Sequence, residues 1–271
     1  MTTTELVRAH YDAVGLVDRV RSALSSIAPD DAVLTPEQLA GLDQFHTRGL
    51  AATRDLARAA ALAPGERVLD LGCGIGGPAR IFARHFGVTV HGIDLSAPFI
   101  EAGRYLSARC GLTDSVTLEV GDATAHGFAD ASFDAIFLQH VAMNIADRAA
   151  LYQGVARALK PNGRFATYDV VRGEGEIVLP VPWSREPATN HLLSVVETCA
   201  AIEAAGLVIE GCNDETDTAI SWFSQLAAAG PPPGLNLAPV MGAEFPVVAG
   251  NLGRNLREGR ARILTAIARK P

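Results

Sequence analysis

Three aspartates recur at strand-like positions in the first half of the 271-residue chain: Asp70 in RVLDLGCGIGG, Asp94 in VHGIDLS and Asp122 in LEVGDA. Between the first two, Gly72, Gly74 and Gly77 spell G-x-G-x-x-G. Such a turn lets backbone N–H groups approach a ligand, because glycine leaves no Cβ in the way. In a dinucleotide site those donors meet a pyrophosphate. Asp70 argues for another ligand, since a carboxylate there repels a pyrophosphate and accepts from an amine. Asp94 stands about 20 residues after the glycines, where an acid accepts from both ribose hydroxyls. Asp122 follows a third apolar run and can accept from the exocyclic amine of an adenine.

An ammonium, a ribose and an adenine without a phosphate describe S-adenosylmethionine. A nicotinamide-dependent oxidoreductase is the competing reading; it uses the glycines and Asp94 and leaves Asp70 and Asp122 without a task. Methyl transfer is an in-line displacement on an activated carbon, so the protein aligns the nucleophile and handles a proton. His140 follows the fourth apolar run, in LQHVAMN, and an imidazole titrates near neutrality. Asp169 ends the fifth, in ATYDVV. These two are the expected base or substrate-orienting groups. The plainer alternatives are a packing histidine that orients its loop and an aspartate that caps one. Tyr168, alternating to the other face of that run, is expected in the core.

The elements that must position these groups alternate from Arg67 onward. RVLDL, VTVHGIDL, VTLEVGD, FDAIFLQ and GRFATYDVV read as strands, with PARIFARHF, APFIEAGRYLSARC and RAALYQGVARAL as helices between them. This order gives an α/β fold, a parallel sheet doubly wound by helices. Residues 1 to 63 read as helices: ELVRAHYDAV, LVDRVRSALSSI and one long helix over TPEQLAGLDQFHTRGLAATRDLARAAAL, with Thr35 as N-cap and Pro36 in its first turn. After Val171 come a Pro/Gly-rich loop, a helix over SVVETCAAIEAAG with Gly206 just past its end, and a strand over LVIEGCND. AISWFSQLAAAGPPPG reads as a helix stopped by prolines. The last segment, RARILTAIARK, is compatible with a helix or with a helix end plus a strand.

VLDLGCGIGG, GIDLS, GDA and FDAIFLQHVAMN stand in the order shown by class I S-adenosylmethionine-dependent methyltransferases, and the chain resembles that family over about residues 40 to 170. It is most similar to the small-molecule branch, with the sarcosine/dimethylglycine N-, sugar O- and terpenoid C-methyltransferases. The resemblance implies a Rossmann-like seven-stranded sheet whose last strand is antiparallel. It also implies a helical lid from residues 1–63, a main domain over 64–271, and cap insertions at 172–192, after strand 5, and about 214–250. For the cofactor it implies Asp70, Gly72, Gly74, Gly76, Asp94 with Leu95, Asp122 with Ala123, Gln139 and the lid residue Tyr11. For the substrate it implies Phe45, His46, Met143, Asn144, Trp183 and Trp222. A member of this fold that binds the cofactor yet promotes cyclisation is a further alternative.

Composition narrows the partners. Net charge is −7, arginines are scattered and lysines few, which disfavours nucleic acid. Cys73, Cys110, Cys199 and Cys212 are far apart in sequence and form no C-x-x-C, so neither a zinc site nor a disulfide framework is expected. No N-P-P-Y-like tetrad follows the fourth strand, and no carboxylate cluster for a metal is evident. A diphosphate substrate needs Arg or Lys, and only Arg172 and Arg185 are plausibly placed. The charged N-terminal stretch has no apolar h-region and no run is long enough to span a bilayer. The expectation is a cytoplasmic enzyme of specialised metabolism acting on a small, partly apolar molecule, without metal, nucleic acid or membrane, and compatible with a homo-oligomer.

Overall fold

Val68, Leu69 and Leu71 form an apolar run interrupted only by Asp70, so the strand they make belongs in the middle of a sheet. In the computed structural model, which describes residues 5–6, 10–11, 14–229 and 234–271, that strand is β1 (Arg67–Leu71). It lies between β2 (Thr89–Asp94) and β4 (Phe133–Gln139), with β3 (Val116–Val120) at the edge beyond β2. On the other side β5 (Leu159–Arg172) pairs with β4 in parallel. β7 (Ala261–Arg269) then runs antiparallel between β5 and β6 (Val208–Asp214). The order β3-β2-β1-β4-β5-β7-β6 reverses direction between β1 and β4, and the crevice beyond their carboxyl ends is where such sheets bind ligands.

Alternate residues of the central strands feed two helical layers. Val68, Phe137 and Tyr168 join the core beneath α1 (Leu16–Leu24), α2 (Pro36–Asp43), α3 (Gly49–Ala59), α4 (Gly77–Phe86) and α5 (Ala97–Arg109). Leu69, Leu71, Ile136, Leu138 and Phe165 join the second core, against α6 (Arg148–Ala158) and α7 (Val195–Ala204). The sheet is thus apolar on both faces. Local signals set the helix starts: Thr35 and Gln38 form a reciprocal capping box with Pro36 in the first turn, and Ser194 with Glu197 forms another. Gly206, at φ 87, stands just beyond α7 as expected.

The expected helix over residues 35–62 is instead two helices. α2 ends at Asp43, Gln44 is extended, and Arg48 takes a left-handed φ of 62 before α3 begins. The break has a cause. The buried Asp43 carboxylate is anchored 2.8 Å from the Arg80 guanidinium, and its carbonyl lies so close to α4 that a Cβ on Gly77 would overlap it. The chain therefore turns inward at Phe45, His46 and Thr47. The last segment resolves as strand β7, its backbone groups claimed by β5 and β6. Between β6 and β7 run α8 (Thr216–Ala229), α9 (Ala238–Met241) and α10 (Phe245–Arg257), the last of which is not anticipated by the sequence reading. The prolines expected to stop α8, at 231–233, lie outside the described residues, as do residues 7–9 and 12–13 of the expected first helix. No helix among the described residues is long and apolar enough to cross a membrane.

The cysteines are all free, and two of them lie close in space. Cys199 on α7 and Cys212 on β6 are distant in sequence, yet the fold brings their sulfurs to 3.4 Å as free thiols. Mild peroxide treatment followed by peptide mass spectrometry should find a Cys199–Cys212 crosslink, with the buried Cys73 and Cys110 still reduced; the reverse pattern would contradict this packing. Replacing Arg80 by Met should strand the buried Asp43 charge and lower unfolding free energy by roughly 3–5 kcal/mol in urea titration.

Candidate active site

A cavity of about 420 Å³ opens at the sheet reversal, lined along one side by the turn after β1. Gly72 has φ 70, and a side chain there would drive into the Val141 isopropyl group. Bare backbone therefore faces the cavity. Gly74, also on the lining, donates its N–H to Asp94 Oδ2 at 3.0 Å. Gly76 is a correction: it is absent from the lining, and its Cβ direction meets Leu118 and Arg80, so its role is packing.

The three aspartates come together on this cavity. Asp70 is buried, and its Oδ2 has no hydrogen-bond partner among the described residues. Burial, aided by the nearby Asp94 charge, raises its pKa to about 7. Asp94 accepts from Gly74 N–H through Oδ2 and from Ser96 N–H at 2.9 Å through Oδ1, so each oxygen keeps a lone pair for a ligand. Burial raises its pKa too, against those two bonds. Asp122 turns one oxygen to the Thr124 N–H and hydroxyl, at 2.8 and 2.6 Å, which leaves the other oxygen available. Leu95, Ala123 and Gln139 complete this side; both amide atoms of the buried Gln139 side chain are unpartnered.

An acceptor-rich floor with an orphaned carboxylate oxygen fits an ammonium, and the paired oxygens of Asp94 fit a diol. A pyrophosphate finds no cation here, since no Arg or Lys is among the described lining residues. Arg172 pairs with Glu197 at 2.7 Å and Arg185 with Glu244 at 3.3 Å, and neither is among the described lining residues. The residues present therefore suit S-adenosylmethionine better than a dinucleotide.

The other side of the cavity is apolar. Tyr11, Phe45, Met143, Trp183 and the unanticipated Phe99, Met241 and Leu252 line it. Tyr11 reaches Asn144 Oδ1 at 3.5 Å, and its carbonyl accepts from Ser96 Oγ at 3.0 Å, which ties the N-terminal segment to the turn holding Asp94. Phe99 packs edge-on to Tyr11 and tilted against Phe45. Trp183 is buried with its indole N–H on Asn190 Oδ1 at 2.9 Å. Trp222 is not on the cavity; it packs against Phe223 on α8.

The two expected proton-handling groups part company. His140 lines the cavity, with Nε2 at 3.4 Å from Thr47 Oγ1 and its ring stacked on Tyr168. Burial holds its pKa well below the usual imidazole value, reinforced by the neighbouring His46. Asp169 is buried behind the lining on the opposite face of β5: Oδ2 accepts from the Ala142 and Val141 N–H groups at 2.7 and 3.4 Å, and Oδ1 from its neighbour Val170 at 2.9 Å. Burial, partly offset by Arg148, raises its pKa to about 6. It fixes the loop that carries His140 and does not reach the cavity, so the plainer reading, a loop cap, describes its position. His46 also borders the cavity, but both ring nitrogens are engaged, at 3.1 Å with the Thr47 carbonyl and 3.0 Å with Thr53 Oγ1. Burial takes its pKa to about 4.

Comparison with known proteins agrees with this geometry. Residues 69–167 match the family model described as a methyltransferase domain. Phosphoethanolamine N-methyltransferase 1 of Arabidopsis thaliana is 38% identical over 140 residues, 52% of this chain but 28% of that protein, so the chain spans under a third of its length. Methyltransferase GfsG of Streptomyces halstedii is 35% identical over 187 residues, 65% of either chain. Among solved structures, the geranyl diphosphate C-methyltransferase of Streptomyces coelicolor, in complex with S-adenosyl-L-homocysteine, superposes with a TM-score of 0.73 at 18% identity, covering 100% of this chain and 98% of that one. The [4+2]-cyclase SpnF gives 0.68 at 23% identity, covering 100% and 97%. These likenesses are of fold. Residues 69–167 thus carry a methyltransferase domain.

Proposed function

We propose that the protein is an S-adenosylmethionine-dependent methyltransferase acting on an O, N or C nucleophile of a small, partly apolar metabolite. The observation that carries this reading is the buried Asp70 carboxylate, with an oxygen left unpartnered on a cavity in a matched methyltransferase domain. When bound, the cofactor supplies a methyl group on a sulfonium leaving group. Asp70 would hold its ammonium, Asp94 its ribose and Asp122 the adenine amine, while Gly72 and Gly74 give backbone access. Tyr11 and Phe99 present aromatic faces near the Asp94 turn, which suits a cation.

The apolar side, between Phe45, Met143, Trp183 and Leu252, would exclude water around the acceptor. His140 is the polar group placed to orient it. The absence of Arg and Lys among the described lining residues favours a substrate without a phosphate, unlike the substrates in the names of the plant and geranyl diphosphate relatives. A cytoplasmic setting and a role in specialised metabolism belong to the same proposal.

Titration calorimetry with S-adenosylhomocysteine tests the reading. Binding should be lost or weakened roughly hundredfold, about 3 kcal/mol, in Asp94→Ala, as expected for two hydrogen bonds to a charged group. Unchanged affinity would remove the ribose assignment, and stabilisation by NAD alone would overturn the cofactor.

The Asp70 pKa of about 7, raised from 3.8, gives a second test. A carboxyl that holds its proton more tightly when folded makes the ligand-free fold lose stability as pH rises from about 4 through 7. The ligand ammonium needs the carboxylate, so binding near pH 6 should release a proton and tighten toward pH 8. Calorimetry in buffers of different ionisation enthalpy measures this; Asp70→Asn should abolish the release, and no release in the unaltered protein would sink the ammonium assignment.

A further inference from the structure

His140 holds a left-handed φ of 53, a strained conformation for a non-glycine residue. The surroundings compensate by fixing it from three directions. Its N–H donates to the Tyr168 carbonyl at 2.8 Å, its ring stacks on the Tyr168 ring at 5.4 Å and 19°, and its Nε2 faces Thr47 Oγ1 at 3.4 Å. Thr47 Oγ1 is also 2.7 Å from the Tyr168 hydroxyl.

The protons in this cluster can be counted. The Tyr168 and Thr47 hydroxyls lie 2.7 Å apart, and of such a pair the phenol is the stronger donor and the aliphatic oxygen the better acceptor. The single Tyr168 proton therefore goes to Thr47 Oγ1. The Thr47 proton is then left for His140 Nε2. A neutral imidazole that accepts at Nε2 carries its hydrogen on Nδ1. Burial keeps the ring neutral, and Nδ1 has no partner among the described residues, on a side chain that lines the cavity.

We infer that Thr47 and Tyr168 hold His140 as the Nδ1–H tautomer, so that the cavity presents a hydrogen-bond donor and selects substrates bearing an oxygen acceptor, such as a carbonyl, ether or phenolate. The substrate half of this inference rests on the proposed methyltransferase reading. His140 then determines specificity by orienting that oxygen, and Thr47 and Tyr168 are positioning residues. The chain of bonds accounts for two features that a general base would not need: the strained backbone at residue 140 and a buried tyrosine–threonine pair behind it.

Long-range proton–nitrogen correlation spectra of protein labelled with ¹⁵N-histidine test this directly, with His140→Gln identifying the signal. The unaltered protein at neutral pH should show His140 protonated on Nδ1. Thr47→Val should shift the ring toward the Nε2–H form, and Thr47→Ser should restore the original pattern. An Nε2–H ring in the unaltered protein, or an unchanged spectrum in Thr47→Val, overturns the inference; the unaltered protein alone decides if the valine variant fails to fold. With S-adenosylhomocysteine present, acetophenone should perturb the His140 Nδ1–H signal and ethylbenzene should not. Equal perturbation overturns the acceptor selection. Failure to bind S-adenosylhomocysteine would instead defeat the methyltransferase reading and leave the tautomer result standing.

Discussion

The ion pair between Arg80 and Asp43 governs the architecture of the site. Arg80 is wholly buried on α4, yet it reaches Asp43 at the end of α2 and the Gly103 carbonyl and Ser107 hydroxyl on α5, each at about 3 Å. One guanidinium thus joins three helices. Breaking such a pair leaves a charge with no solvent to stabilise it, which is why the arrangement is held so firmly. The consequence lies one residue further on. The Gln44 amide donates to Asp43 and accepts from Thr53, and Thr53 contacts His46. The inward turn carrying Phe45, His46 and Thr47 is built on that relay of polar contacts.

β5 divides the remaining work by its pleat. Tyr168 faces the layer containing α2 and α3 and meets Thr47, while Asp169 faces α6 and α7 and holds the loop after β4 by its backbone N–H groups. Two adjacent residues therefore fix His140 from opposite sides, one through its ring and the other through the peptide groups that follow it. A carboxylate with three N–H partners has little capacity left for a substrate proton, and this explains why Asp169 stands behind the lining.

Charge shapes what the cavity admits. Its aspartates line the cofactor side, its aromatic and aliphatic side chains the other, and the described lining contains neither Arg nor Lys. Aspartates without countercharge suit a cationic ligand at low dielectric. Burial raises the pKa values of Asp70 and Asp94, with the Asp94 charge adding to the shift at Asp70. The same fold in the relatives accepts chemically different substrates, and the selection falls to the residues that cap the sheet.

The sequence by itself determined what depends on near neighbours. The central strands and the helices between them, the glycine turn and the capping boxes at Thr35 and Ser194 follow from pattern and short-range bonds, and so does the placement of the three aspartates at successive strand ends. Tertiary structure decided whatever turns on contacts between distant segments. The break after Asp43 comes from a partner 37 residues away, against a helical pattern that continues through it. The last segment is a strand because β5 and β6 both claim its backbone. Gly76 faces Leu118, Trp222 faces Phe223, and Cys199 meets Cys212, none of which a local spacing encodes. Thr47 acquires its place beside His140 and Tyr168 in the same way, since a hydroxyl has no role until folding fixes which donors and acceptors surround it.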